Sequence, residues 1–191
     1  MGLGQMSVAE RYRAVAAGFT TVVEGVQDWD APTPVKEWRV RDVVEHLVSW
    51  LPGLLEPGSS VRFEAGPWSE DDPVGAWRVL DLQVQALLDD PETASLRYSG
   101  QPIGERPVPE VVDQYFTIHV FLHTWDLAKG SGQEPNLEPE QVGVLYAGMT
   151  SARDLIRGSG QFGEEQPVPP DATDLERLMA FLGRDPRWQR P

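Results

Sequence analysis

The sequence predicts an all-α protein, a bundle of four to six helices joined by long loops, folded as one domain over residues 1–191. Three observations predict it. Apolar residues recur at three- and four-residue spacing through most of the chain. Proline and glycine cluster between those stretches. No convincing set of alternating segments exists from which to build a sheet. The length suffices for a core without staples, and the long loops call for at least one crossover connection.

The first helix is expected from Ser7 to Gln27, with Ser7 as its N-cap and Val8, Tyr12, Val15, Phe19 and Val22 on one stripe. Pro32 and Pro34 then force extended backbone. A second helix starts near Val40 and carries Val43, Val44, Leu47, Trp50, Leu51 and Leu54, with Pro52 as the point where it kinks or ends. After a loop, Asp72 and Pro73 pair as N-cap and first residue of a third helix that stops before Pro91. Ala94 to Pro109 leaves room for a short strand or none. The fourth helix, Pro109 to Lys129, is apolar on nearly every side, which marks it as central and buried, with Gly130 as its C-cap. A fifth helix is expected from Glu138 to Arg157 and a short sixth from Asp174 to Leu182.

A formal net charge of −14 and a spread of acidic residues argue against nucleic acid and against anionic membranes as partners. The chain contains no cysteine, which removes disulfides, thiolate ligands and a catalytic thiol at once. If thiol chemistry occurs, the thiol comes from another molecule. No apolar run approaches the ~20 residues of a membrane span, and the opening "MGLGQM" has neither the basic and apolar regions of a signal peptide nor a myristoylation pattern. The expected location is the cytoplasm.

Two motifs invite chemistry. "GSGQFG", Gly158 to Gly163, matches the dinucleotide fingerprint in letters only, because it follows a helix and precedes a proline-rich loop. The second is "IHVFLHTWDLAKG", Ile118 to Gly130. His119 and His123 stand one above the other on one helix face, where both rings can point at one ion about 2.0–2.1 Å away. His46, the one other histidine, lies in the apolar stripe of the second helix. A single core histidine is ordinary. Three on inward faces would leave an apolar core to satisfy each imidazole, at about 1–3 kcal/mol for every group unpaired. His46, His119 and His123 are therefore the candidate metal ligands, and three neutral ligands leave coordination positions open.

Asp126 and Asp42 are the carboxylates placed to orient a ligand ring. Asp126 fits that role and a helix-packing hydrogen bond equally well. Asp42, three residues after Arg39, fits a helix N-terminus better. Trp38, Trp50 and Trp125 read as core aromatics. Arg62 and Arg78 could meet an anionic substrate, but nothing in their spacing sets them apart from surface arginines.

"PTPVKEWRVRDVVEHLV" (Pro32 to Val48) and "HTWDLAKGSGQ" (His123 to Gln133) resemble two hallmark segments of the mycothiol-dependent maleylpyruvate isomerase N-terminal, metal-binding domain, within the DinB/YfiT-like superfamily. The tail "DATDLERLMAFLGRDPRW" is similar to the end of single-domain actinobacterial members. The resemblance implies a DinB/YfiT-like four-helix bundle, with extra short helices here, holding a divalent metal, zinc in most members. It implies His46 and His123 as ligands. The isomerase has a glutamate where this chain has His119, a three-histidine pattern similar to other DinB-like proteins, and that change brings nickel or iron within range. The isomerase's separate C-terminal domain has no counterpart in this sequence, which counts against maleylpyruvate isomerisation itself.

The leading expectation is a metal-dependent enzyme that uses a low-molecular-weight thiol, mycothiol, as cosubstrate for S-transfer to an electrophile or for isomerisation, acting as a monomer or homodimer. The alternatives are a non-catalytic metal-containing bundle that binds a ligand or serves in stress, and a bundle whose histidines only hydrogen-bond within the core.

Overall fold

The computed structural model describes residues 2–191. Its helices are α1 (Val8–Gly25), α2 (Val40–Gly58), α3 (Pro73–Asp89), α4 (Val108–Val111), α5 (Ile118–Ser131), α6 (Pro139–Ser151), α7 (Arg153–Gly158) and α8 (Asp174–Phe181). Two strands, β1 (Arg97–Gly100) and β2 (Gly104–Pro107), form an antiparallel hairpin with Tyr98 opposite Arg106. The molecule is mainly helical, in keeping with a DinB-like bundle. The hairpin corrects the expectation of no sheet: a short sequence so rich in turn residues gives too little alternation to announce two paired strands.

Four helices close a ring in which α1 packs on α3, α3 on α2, α2 on α5 and α5 on α1. Helices α1 and α2 are thus diagonal, and the linker between them is the expected crossover. Phe19 and Trp77 meet edge to face at 4.6 Å, and the Trp77 indole donates to Thr20 Oγ1 at 2.8 Å, which fixes α3 against α1.

Caps set the starts. Ser7 and Glu10 form a capping box on α1, Thr173 and Glu176 another on α8, and Asp72 accepts from Gly75 N–H ahead of Pro73. Helix α2 runs through Pro52 to Gly58 rather than ending there, and the Ser59 hydroxyl donates back to Leu55 O at 2.7 Å at its close. The stretch read as one helix from Pro109 is continuous to Ser131 but contains a wide π-helical turn, Val112–Thr117. The Thr117 hydroxyl donates to Val112 O at 3.2 Å and helps satisfy the carbonyl that the turn loosens.

The cap of α5 is Gly132, at φ 74°, and not Gly130. Gly130 sits inside the helix for another reason. A Cβ there would lie 2.8 Å from Thr33 Cγ2, 3.0 Å from Val40 Cγ2 and 3.1 Å from Pro32 O, so glycine lets α5 touch the crossover linker. The expected fifth helix is divided near Ala152 into α6 and α7.

Gly130→Ala is expected to destabilise the fold by about 1–2 kcal/mol in urea titration, because overpacking at about 1–3 kcal/mol outweighs a helix-propensity gain of about 1. Gly132→Ala should cost about 1 kcal/mol through its left-handed backbone alone. A neutral Gly130→Ala would show that the linker yields.

Candidate metal centre

Helices α2 and α5 share a seam, and the three histidines meet in it. His46 comes from α2, His119 and His123 from successive turns of α5, and one nitrogen from each lies within 4.8 Å of the other two. His46 Nε2 and His119 Nε2 are 3.0 Å apart. That spacing suits a hydrogen bond between neutral rings and equally suits two nitrogens about 2.0–2.1 Å from one ion. His123 is buried, whereas His46 and His119 are half-buried, so the cluster has a closed side and an open one.

The closed side is polar and fully paired. Asp126 Oδ2 lies 2.9 Å from His123 Nδ1 and also accepts from Arg184 Nη2 at 2.9 Å, while Oδ1 accepts from Arg184 Nε at 3.2 Å. With its neighbouring Asp126 carboxylate ionised, His123 carries its proton on Nδ1 and leaves the Nε2 lone pair free. Burial works to raise the Asp126 carboxyl pKa, but Arg184 and the His123 hydrogen bond prevail and lower it. Arg184 follows α8, 58 positions from Asp126, and its backbone N–H donates to Met179 O at 2.9 Å. Nothing in the sequence flags it.

Burial first, then His123 and Arg184, pushes the His46 imidazole down to about 4. Burial, then the two other histidines, pushes His119 down to about 2. Both rings are neutral at neutral pH and offer lone pairs rather than protons. The donor set therefore fits a divalent transition metal: three imidazoles converge, and the hydrogen bond between His123 Nδ1 and Asp126 leaves the other ring nitrogen to ligate.

Tryptophans wall the open side. Trp38 stacks on His123 at 5.8 Å and tilts against His46 at 4.8 Å, and Trp50 meets His119 edge to face at 4.5 Å. Both are half-buried and pack against the core as expected, Trp50 stacking on Phe116 at 6.4 Å, while their other edges meet the histidines; Trp125 lies fully within the core. Trp38 is presented by the turn Thr33–Trp38, closed by Thr33 N–H on Trp38 O at 3.0 Å with Glu37 at φ 68°. Asp42 does not join the cluster. Its carboxylate accepts from Arg39 N–H at 2.7 Å and from the Arg39 guanidinium, as a helix N-terminus requires. Arg62 donates to Glu56 O in the last turn of α2 and to Ser59 O just after it, and does not join the histidine cluster. In the "GSGQFG" stretch, Gly163 lies so close to Gly183 that a Cβ on Gly183 would be 2.6 Å from Gly163 Cα. No helix of eight residues or more begins there.

Fold and site together define a helical bundle whose inter-helix seam holds three histidines able to bind one metal ion. Residues 12–128 match the Mycothiol maleylpyruvate isomerase N-terminal domain, and the chain belongs to that family. It is similar to uncharacterized proteins of two Mycobacterium tuberculosis strains, CDC 1551 / Oshkosh and ATCC 25618 / H37Rv. Each is 31% identical over 168 residues, covering 82% of this chain and 85% of the relative. No solved structure matches the chain at a significant level. No helix among the described residues is long and apolar enough to cross a membrane.

Arg184→Ala strands a buried carboxylate and should cost about 3–5 kcal/mol in urea titration, with Arg184→Lys recovering part of it. A loss under 1 kcal/mol would mean that Asp126 finds water instead.

The two lowered imidazoles give a second expectation. Unfolded histidine binds its proton near pH 6.5, and the folded rings do so only near 4 and 2. Stability present above about pH 6.5 is therefore lost as pH falls toward those values. In chelator-treated protein the urea midpoint should drop between pH 7 and 5, and His46→Asn with His119→Asn should flatten the slope. An unchanged slope in the double variant would contradict the neutral rings.

Proposed function

We propose that His46, His119 and His123 hold one divalent transition metal, zinc in the first instance with nickel or iron(II) as alternatives, and that the centre activates a small cytosolic thiol of the mycothiol type. The single observation that carries this is the convergence of three imidazoles, with His123 held by Asp126. The family match supports the choice of thiol.

A divalent ion in this position supplies a concentrated positive charge that lowers the pKa of a thiol beside it. The chain's own residues do the rest. Asp126 and Arg184 cancel one another, so that pair contributes no net charge to offset that of an ion. Trp38 and Trp50 narrow the open side and exclude water around an approaching sulfur. The absence of cysteine means that no thiol of the protein's own competes with the incoming one. The reaction class is addition of the thiol across a carbon–carbon double bond of an electrophile: the S–C bond forms as the π bond breaks, the thiol proton ends on the neighbouring carbon, and the step either stops there or reverses after bond rotation as part of an isomerisation.

One observation favours a non-catalytic reading: the clefts beside α1 and α6 and between α2 and α3 are lined by residues other than the three histidines. Such a protein would hold metal and ligand without turnover.

Protein purified without an affinity tag or chelator is expected to carry near one equivalent of metal, mostly lost in His119→Ala, and to consume mycothiol in the presence of an electrophile. Metal without turnover across an electrophile panel would favour the binding reading. No metal in either protein, even after reconstitution with zinc, nickel and iron(II), would sink both.

A further inference from the structure

Helix α5 has a second face. At 100° per residue Ile118 and Phe121 lie roughly opposite His119 and His123. There α6, which packs chiefly on α8, stands off from α1 and α5 and leaves a cleft of about 250 Å³. Leu3, Val15, Ile118, Phe121 and Leu145 give it an apolar lining. A second lobe of about 400 Å³ continues past Leu3, Val15 and Phe121 toward Leu137. The first lobe alone lies below the roughly 300–1,000 Å³ range of ligand clefts, and with the second it falls within that range.

Two charged residues in the first lobe are incompletely paired. Arg11 Nη1 lies 3.4 Å from Asp113 Oδ2, well beyond the roughly 2.7–2.9 Å of a charge-assisted hydrogen bond. Arg11 Nε and Asp113 Oδ1 are buried and meet no partner. Arg11 is held in place independently, because its Nη2 donates to Met6 O at 2.9 Å. Asp113 belongs to the π-helical turn, a local structure frequent at functional sites. Burial raises the Asp113 carboxyl pKa against the pull of Arg11.

Charge narrows the ligand. The lining carries one cation, Arg11, against three carboxylates, Asp113, Glu138 and Glu140, which opposes an anionic head group. A cationic head beside Asp113 would meet the Arg11 guanidinium. A neutral group with one donor and one acceptor satisfies both residues.

We propose that this cleft binds a neutral amphipathic small molecule with a head group of the carboxamide class, set between Arg11 and Asp113. The Arg11 guanidinium donates to its carbonyl oxygen and its N–H donates to the Asp113 carboxylate. Its apolar chain runs along Val15 and Phe121 toward the second lobe. The site is separate from the histidine centre and does not depend on the function proposed for it.

The test is a titration of ¹⁵N-labelled full-length protein with hexanamide, followed by hexanoate and hexylamine. Saturable amide shifts are expected at Asp113, Thr117, Ile118 and Phe121 and not at His46, with both charged analogues at least tenfold weaker. Val15→Phe fills the lining and should abolish the shifts. Asp113→Leu, read if that variant does not fold, should weaken binding at least tenfold. No saturable shift with hexanamide, shifts centred elsewhere, equal binding of the charged analogues, or wild-type affinity in a folded variant would each overturn the proposal. Metal content is indifferent to all of these, so this site and the histidine centre fail or stand separately.

Discussion

The bidentate contact between Arg184 and Asp126 holds the histidine site together. Asp126 is completely buried, and an unpaired carboxylate there would be prohibitively costly. Arg184 neutralises it with a planar fork, and the remaining hydrogen-bonding capacity of Oδ2 goes to His123. One carboxylate therefore sets a ring's tautomer and ties the segment after α8 to the central helix. Gly183 makes the geometry possible. At φ 88° and with Gly163 against it, only glycine lets the chain turn at the end of α8 and aim the next side chain inward. The glycines that imitate a nucleotide motif include one that serves this close approach.

The parts of the site that were legible in the sequence are those that share one helix. His119, His123 and Asp126 are related by the helical repeat, and His46 could be added because its own helix is strongly amphipathic. The bundle was legible for the same reason. What spacing could not supply are contacts made across the fold. Arg184 reaches Asp126 from a segment with no periodic relation to it. Trp38 acts through a loop turn, and its half-exposure is invisible to a hydrophobicity pattern. The π-helical turn left no mark, because one widened turn in an all-round apolar helix does not change which residues look buried. Gly130 misled because a glycine needed for close approach and a glycine needed for positive φ are the same letter two positions apart.

The crossover linker now has a structural purpose. Because α1 and α2 are diagonal, the chain between them must cross the bundle, and it passes over α5 where Gly130 gives it room. That passage places the Thr33–Trp38 turn at the mouth of the α2–α5 seam, so Trp38 covers two of the three imidazoles. The family's first hallmark segment contains both this turn and His46. Linker, aromatic wall and histidine form one device, and a shorter connection between adjacent helices would have left the rings open to water.

The histidine at position 119 bears most directly on chemistry. A carboxylate there would attract a divalent ion and at the same time offset one of its charges. An imidazole binds without that offset, and Asp126 contributes none, since Arg184 has already cancelled it. A centre built this way leaves an ion's full charge for whatever enters the open side, at the cost of electrostatic attraction for the ion itself. Rigidity compensates: a ring already in its ligating tautomer, in a buried site braced by two hydrogen-bonded charges, loses little freedom on binding. The same logic explains why the brace is sealed from solvent while His46 and His119 are only half-buried. The fixed charges are kept from relaxing, whereas the open side stays within reach of a small molecule.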